Sequence, residues 1–307
     1  MPTPLSEWGP VLEARQTLAD SIRNYFRGQG YLEVQTPLRI RAPALEDYID
    51  AEPSGAWYLR TSPELQMKRL LAAGFERIFQ LGPCFRKGER GPQHLPEFAM
   101  LEWYRARTDC YGILRETSEL VRHCARQITG NTDIVYQGKT IRLGDDWDIV
   151  SVDDAFTRHA GADALDKIVE AGNFETVLVE DVLPRLEPER PTVMHSFPAS
   201  MSSLARRCEN NPGRVERWEL FIGGMEIANA YSELTDYHDQ LQRFDASRRL
   251  REAAGRDVYP VDQEYLQILQ DGFPPCGGIA FGVDRFLMLL TNQPTIQDVV
   301  LFANDLQ

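Results

Sequence analysis

The stretch from residue 77 to residue 106, RIFQLGPCFRKGERGPQHLPEFAMLEWYRA, constrains the fold more than any other part of the chain. Its two ends have the apolar pattern of strands, and a loop of charged and turn-forming residues (87–95) joins them. In the second strand, strict alternation places four side chains on one face: Phe98, Met100, Glu102 and Tyr104. The stretch therefore predicts an antiparallel hairpin with one chemical face and one packing face.

The chemical face of this hairpin carries groups that suit a nucleotide. Arg86 lies at the end of the first predicted strand (77–86), and its guanidinium can hold a phosphate with two parallel hydrogen bonds. Phe98 offers a ring on which a purine can stack. Taken alone, the stretch also fits a surface hairpin with one half-buried face.

Composition limits the class of protein. The 307 residues are 43% hydrophobic and 26% charged, which predicts a globular chain with a large core. The 33 basic and 46 acidic side chains give a net charge of −13, which argues against a broad grip on nucleic acid. There is no basic, apolar leader and no run of about 18 apolar residues, so we expect a cytoplasmic protein without a membrane partner. Five cysteines without a CxxC pair predict reduced thiols.

Local patterns outline the remaining elements. Apolar spacing predicts helices near residues 11–28, 64–73, 111–128 and 237–254, and strands at 31–37, 193–197 and 217–233. A glycine-rich strand ends near residue 283, where the last long helix begins, whereas residues 130–190 contain no readable motif. Antiparallel strands interleaved with uneven helices favour an α+β fold with an open sheet face for a nucleotide. The length allows one large domain or two.

A second hairpin carries candidate metal ligands. Glu219 and Glu226 flank the Gly223-Gly224 turn, where both carboxylates can reach one cation. Magnesium bound to ATP prefers such oxygen ligands, although two glutamates on a hairpin are also common on a solvated surface. Strict alternation points Glu226 away from the face of Asn229. We therefore predict a β-bulge between these two residues.

Several acidic and phenolic side chains suit a ligand with two ammonium groups. Asn229, Tyr231 and Glu233 share a face by their spacing, and Glu64, Glu102 and Tyr104 add to the same pocket. Arg285 lies in the first turn of the last helix, which suits the end of a triphosphate, although a structural salt bridge is equally compatible.

Five ordered segments resemble the class II aminoacyl-tRNA synthetases, specifically their lysyl branch. Residues 30–37, 85–104 and 278–290 resemble the first, second and third motifs of that family, and TSPELQMKRL and MEIANAYSELTD resemble its lysine-pocket segments. The resemblance covers the chain from residue 12 onward. It implies a class II synthetase-like antiparallel β-sheet flanked by helices, a homodimer formed through the first motif, and synthesis of an aminoacyl adenylate from ATP.

The resemblance also implies roles for individual residues. Contacts with ATP are implied for Arg86, His94, Leu95, Phe98, Glu219, Glu226, Ile227, Gly282 and Arg285. Of these, Arg86 and Arg285 are the implied catalytic residues, and Glu219 and Glu226 the implied ligands of Mg²⁺. Contacts with the amino acid are implied for Ser62, Pro63, Glu64, Glu102, Tyr104, Asn229, Tyr231, Glu233 and Ala280. Gly88 and Leu95 depart from the lysyl pattern, so a nucleotide contact at either must use the backbone.

One difference from the lysyl branch favours a protein-modifying enzyme. Lysyl-tRNA synthetases carry an N-terminal anticodon-binding barrel, for which the roughly eleven residues before the first predicted helix are too few. We therefore expect residues 1–307 to form a single class II synthetase-like catalytic domain without an anticodon-binding domain. It is similar to the elongation factor P-lysine ligases, which attach (R)-β-lysine to a lysine of that factor.

This resemblance makes lysine or (R)-β-lysine the expected substrate and elongation factor P the expected acceptor, and it makes tRNA an unexpected partner. Ala280 supports the interpretation, because the lysyl-tRNA synthetases typically carry glycine there. A truncated lysyl-tRNA synthetase and a catalytically silent, amino-acid-binding regulator are the alternatives.

Overall fold

The computed structural model describes residues 5–161 and 165–303. Its helices are α1 (Gly9–Gly28), α2 (Glu64–Ala72), α3 (Cys110–Thr129), α4 (Val152–Ala160), α5 (Leu165–Glu170), α6 (Phe174–Val177), α7 (Tyr237–Ala253), α8 (Gln263–Gly272) and α9 (Val283–Leu290). The first strands are β1 (Leu32–Glu33), β2 (Arg39–Ile40), β3 (Pro53–Ser54), β4 (Trp57–Leu59), β5 (Arg77–Phe85), β6 (Glu97–Ala106), β7 (Asp133–Tyr136) and β8 (Lys139–Arg142). The remaining strands are β9 (Asp148–Ser151), β10 (Thr192–His195), β11 (Arg207–Cys208), β12 (Asn211–Val215), β13 (Arg217–Ile222), β14 (Met225–Ser232) and β15 (Cys276–Gly282).

An eight-stranded sheet organises the fold, in the order β1-β5-β6-β15-β14-β13-β10-β9. Neighbouring strands are antiparallel in the middle of the sheet, and the pairs β1–β5 and β10–β9 at its two edges are parallel. The α+β fold expected from the sequence is therefore confirmed. The predicted hairpin around residues 87–95 is formed by β5 and β6.

One face of the sheet is covered by α1, α3 and α9, which enclose the largest hydrophobic core. Helix α1 contributes Leu18, Ile22 and Phe26, whose spacing of four residues places them on one buried stripe. The Phe26 ring stacks on Phe79 at a centroid distance of 4.7 Å and lies 5.1 Å from Trp103. Burying each such side chain contributes about 1.5–3 kcal/mol, so this face is the stable base from which the opposite face presents its side chains.

The helix predictions agree with the structure to within about two residues, whereas the strand predicted for residues 31–37 is much shorter. Only Leu32 and Glu33 pair with β5 as a regular strand. The backbone N–H of Thr36 instead donates to the side-chain Oε1 of Gln80, and Pro37 has no N–H to donate. The ladder therefore ends early.

The hairpin of β13 and β14 contains the predicted bulge. Gly223 and Gly224 have φ angles of +58° and +80°, which a type I′ turn requires at both central positions. Beyond the turn, Leu220 pairs with Ala228 but Phe221 pairs with Glu226, so Ile227 is the extra residue of a β-bulge. The prediction is confirmed, and the bulge brings Glu226 and Asn229 to the same face.

Residues 130–190, where the sequence contains no recognisable motif, form the hairpin β7–β8, the edge strand β9 and helices α4 to α6. Phe174 at the start of α6 stacks on Phe156 and packs in a separate core beside β9 and β10. All five cysteines are free thiols, as expected. Within the described residues, no helix has the length and apolarity needed to cross a membrane.

Candidate active site

A cavity of about 790 Å³ lies on the open face of the sheet, opposite the largest core. Strand register explains why residues from distant parts of the chain meet there. One row across β6, β15, β14 and β13 consists of Glu102, Ala280, Asn229 and Glu219. The next row consists of Tyr104, Gly278, Tyr231 and Arg217. Side chains two residues apart point to the same face, so both rows form the cavity floor.

Every predicted site residue except Pro63 lines this cavity. Pro63 is buried at the N-cap of α2 and does not border the cavity, so its contact with substrate stays a prediction. The hydroxyl of Ser62 accepts a hydrogen bond from the N–H of Glu64 at 3.2 Å. Leu95 and Ile227 border the cavity but bury their side chains in the largest core, which leaves their backbone for a ligand.

A buried lysine, which sequence reasoning missed, lies beneath the cavity floor. The Nζ of Lys68 is 2.6 Å from Oε1 of Glu64 and 2.5 Å from Oε2 of Glu233. Burial disfavours the charge on Lys68, but the two carboxylates outweigh burial and keep its pKa above the usual range. Burial raises the pKa of Glu233 to about 7 despite the attraction of Lys68. Glu64 and Lys68 are four residues apart on one predicted helix, and this spacing could have predicted their ion pair from the sequence.

The floor beside this ion pair is shaped by Glu102, Tyr104 and Gly278. The hydroxyl of Tyr104 donates to Oε2 of Glu102 at 3.1 Å. Burial, and then the charge of Glu64, raise the pKa of Glu102 to about 8, so Glu102 is mainly protonated at neutral pH. A Cβ atom on Gly278 would lie 2.2 Å from Cε1 of Tyr104 and 2.3 Å from Oε1 of Glu233. Glycine is therefore required for these side chains to reach the cavity.

Two arginines form a cationic wall at the other end of the cavity. The guanidinium of Arg86 lies over the Phe98 ring at 5.2 Å, and its buried Nε has no hydrogen-bond acceptor among the described residues. Arg285 donates to the backbone oxygen of Glu226 at 2.9 Å, and its Nη2 is 2.6 Å from Nε2 of His94. Burial and the charge of Arg285 lower the pKa of His94, which keeps this imidazole neutral at neutral pH. The wall is suited to an anion.

Of the two glutamates predicted to hold a metal, Glu219 belongs to the floor and Glu226 lies beside the wall, 3.5 Å from Arg285. Glu219 is buried and ion-paired with Arg217, whereas the side chain of Glu226 is 41% exposed. Burial raises the pKa of Glu219 to about 7; Arg217 opposes this shift and Glu226 adds to it. The described residues contain no group of three or more potential side-chain ligands. One or two carboxylates are nevertheless enough for Mg²⁺ that is also held by phosphate oxygens, so the residues fit that ion.

Arg217 is a second residue that sequence reasoning missed. Its guanidinium lies 4.5 Å from the Phe197 ring, and its Nε donates to Oδ1 of Asn229 at 3.2 Å. Through these contacts, and its ion pair with Glu219, Arg217 fixes two predicted site residues relative to each other. Only the pairing of β13 with β14 reveals this arrangement.

The family model for class II tRNA synthetases (D, K and N) matches residues 6–306. The chain belongs to this family. Among curated relatives, the lysine–tRNA ligases of Thiobacillus denitrificans, Oceanobacillus iheyensis and Pelotomaculum thermopropionicum are 34%, 35% and 36% identical to it. The alignments cover 94%, 94% and 95% of this chain and 62%, 63% and 63% of those relatives. The chain thus spans less than two thirds of the length of the relatives it matches.

Membership of the class II synthetases agrees with the antiparallel centre of the sheet and its flanking helices. The roles of the individual residues in the cavity remain predictions, which the experiments below address.

Proposed function

We propose that the chain is an ATP-dependent ligase that activates lysine or (R)-β-lysine as an aminoacyl adenylate. The observation that carries this proposal is the charge pattern of one cavity. The cationic wall of Arg86 and Arg285 suits a triphosphate, and the acidic floor of Glu64 and Glu233 suits an ammonium group. A synthetase of this type must hold both kinds of ligand side by side.

In the first step, the carboxylate of the amino acid attacks the α-phosphorus of ATP in line, and pyrophosphate leaves. Arg86 binds the α-phosphate, while Arg285 and His94 face the outer phosphates, so charge develops next to fixed donors. Glu219 and Glu226 would hold Mg²⁺, which neutralises phosphate charge when it is bound.

Recognition of the amino acid is assigned to the floor. Glu233 binds the distal ammonium of the substrate, because its Oε1 accepts no hydrogen bond among the described residues and borders the cavity at Gly278. Glu102 is mainly protonated at neutral pH and supplies a neutral hydrogen-bonding group beside it. Asn229 lies in the same row of the sheet as Ala280, whose methyl group reduces the space near the substrate.

We propose that the second step transfers the activated amino acid to a lysine side chain of elongation factor P. The acceptor amine attacks the carbonyl carbon of the adenylate, an amide bond forms, and AMP leaves. The methyl group of Ala280 favours a substrate whose amine has moved to the β-carbon. The net charge of −13 disfavours a polyanionic acceptor such as tRNA. We also propose that the protein acts as a homodimer formed through residues 30–37.

Charging of tRNA with lysine is the second candidate function, since the similar relatives are lysine–tRNA ligases. The purified protein would be incubated with ATP, Mg²⁺ and either lysine or (R)-β-lysine, together with elongation factor P or bulk tRNA. Mass spectrometry of the factor and acid-gel analysis of the tRNA would then follow. A mass gain on the factor supports the proposal, whereas charging of tRNA alone would replace it with the second candidate. If no adenylate forms with either amino acid, the protein would be a binding protein without ligase activity.

A further inference from the structure

A loop with no predicted role, residues 41–52, closes one side of the cavity. We call it the pocket loop; it connects β2 to β3. Four of its consecutive residues line the cavity, and two of them are acidic: Glu46 and Asp47. The loop thus adds carboxylates to a site whose other acidic groups come from the sheet and from α2.

The pocket loop has a fixed conformation because a buried arginine binds its backbone. Arg251 on α7 is fully buried, and its Nη1 donates to the carbonyl oxygens of Glu46 at 2.8 Å and Ile49 at 2.9 Å. Its Nη2 is 2.6 Å from Oδ1 of Asp50. Charge-assisted bonds from one planar group to several loop atoms restrict the loop strongly. The backbone at Glu46 is therefore held by Arg251 beside the cavity.

The carboxylate of Glu46 has no partner within the described part of the chain. Among the described residues it accepts no hydrogen bond and forms no ion pair within 4 Å. Burial and the charge of Glu64 raise its pKa to about 7, while Arg86 and Arg217 oppose this shift. In addition, Oδ1 of the neighbouring Asp47 is buried and has no hydrogen-bond partner among the described residues. A buried acceptor without a partner, such as Oδ1 of Asp47, is costly, and the partly exposed carboxylate of Glu46 borders the cavity beside it. Together they indicate that a donor occupies this place when ligand is bound.

The charges on the cavity floor show which donor is missing. Glu64 and Glu233 carry two negative charges when ionised, Lys68 supplies one positive charge, and Glu102 is mainly neutral. The ion pair of Arg217 with Glu219 adds no net charge. One ammonium group from a ligand balances the remainder. A diamino acid has a second ammonium beside its carboxylate, and that group needs a further carboxylate.

We propose that Glu46 is a specificity-determining residue that binds the second ammonium group, the one on the α- or β-carbon of a diamino acid. Arg251 is then a positioning residue, because it acts on the substrate only through the pocket loop. This inference rests on the proposed function, since it concerns the amino-acid site of the same cavity. It explains how the site distinguishes a diamino acid from an acid with one amine.

The test is calorimetric binding without ATP, using lysine and 6-aminohexanoic acid, which keeps the carboxylate and the distal ammonium but lacks the second one. We expect Glu46→Gln to weaken lysine binding about 10- to 100-fold, the effect of losing one charge-assisted hydrogen bond. Binding of 6-aminohexanoic acid changes less than about twofold. Glu52→Gln makes the same change of charge outside the cavity lining and leaves both affinities unchanged. Circular dichroism checks that each variant folds.

The outcomes separate the role of Glu46 from the proposed function. Equal weakening for both ligands, or no weakening for lysine, would overturn the role of Glu46 while leaving the proposed function in place. If the wild-type protein binds neither lysine nor (R)-β-lysine, the proposed function fails and this inference fails with it. Arg251→Lys keeps the charge but not the planar donor set, so we expect selective weakening of lysine binding. Unchanged lysine binding in that variant would remove the positioning role of Arg251.

Discussion

Replacing Lys68 by methionine tests whether this buried ammonium stabilises the acidic floor. Methionine is an unbranched, flexible side chain of similar length, so the main change is the loss of one positive charge. In the variant, Glu64 and Glu233 face each other without the cation that now lies 2.6 Å and 2.5 Å from them. We expect the folded protein to be destabilised at pH 8, where the unfolded chain ionises both carboxyls freely.

Breaking a buried ion pair by removing one partner costs about 3–5 kcal/mol. For 307 residues this corresponds to a fall in melting temperature of roughly 5–8 °C. Burial already raises the pKa of Glu233 to about 7, and loss of Lys68 raises it further. The pKa of Glu233 in the folded variant therefore exceeds the value of about 4.3 that a glutamate has in the unfolded chain. The loss of stability grows as pH rises from about 4.3 toward the folded-state pKa, because the unfolded chain releases its proton first. At pH 5 most of the loss should therefore disappear.

Urea denaturation of the wild type and Lys68→Met at pH 5 and pH 8 measures both effects. Lys87→Met is the matched control, since Lys87 is half exposed and 3.9 Å from Asp257, and we expect a change below about 0.5 kcal/mol. An equal loss at both pH values would show that packing, rather than unbalanced charge, dominates at Lys68. A loss at pH 8 no larger than in the control would refute the assignment of Lys68 as the cation of the floor.

Other predictions concern the chemistry of the cavity. Arg86→Ala should reduce ATP–pyrophosphate exchange by at least about 100-fold through loss of phosphate binding, with an unchanged melting temperature. The control variant Arg249→Ala removes an exposed arginine and should keep the exchange activity of the wild type. Ala280→Gly should shift the ratio of kcat/KM for (R)-β-lysine and lysine toward lysine by about tenfold, measured in the same exchange assay. Glu102→Gln should be more stable than wild type above pH 8, where the buried carboxyl ionises, and this gain should vanish as pH falls toward 5 in denaturation curves.

The two hairpins could be predicted because their signals are local. Alternation after Pro96 fixed which side chains of β6 share a face, and the Gly223-Gly224 pair identified the turn between β13 and β14. The bulge at Ile227 followed from a conflict between alternation and the need to place Glu226 on the face of Asn229. Each argument used residues within about ten positions of one another.

Features that depend on packing between distant segments were missed. Lys68 has an ordinary place in an amphipathic helix, and only the approach of Glu233 beside β15 makes it the cation of the floor. The pocket loop shows no pattern, because its conformation is imposed by Arg251 on a helix some 205 positions away. The strand predicted at 31–37 failed for the same reason, since Gln80 rather than a neighbouring backbone accepts from Thr36.

By itself, the sequence determined the α+β class, the two central hairpins, the resemblance to class II synthetases and a set of site residues of which all but Pro63 line the cavity. Periodicity and turn chemistry act over short distances along the chain, so these features are encoded locally. Only the tertiary structure decided which charges meet in the cavity: Lys68 with two glutamates, and Arg217 with Glu219. It also left the carboxylate of Glu46 without an ion pair among the described residues. Burial and the sum of neighbouring charges set these energies, and both arise only when distant segments pack together.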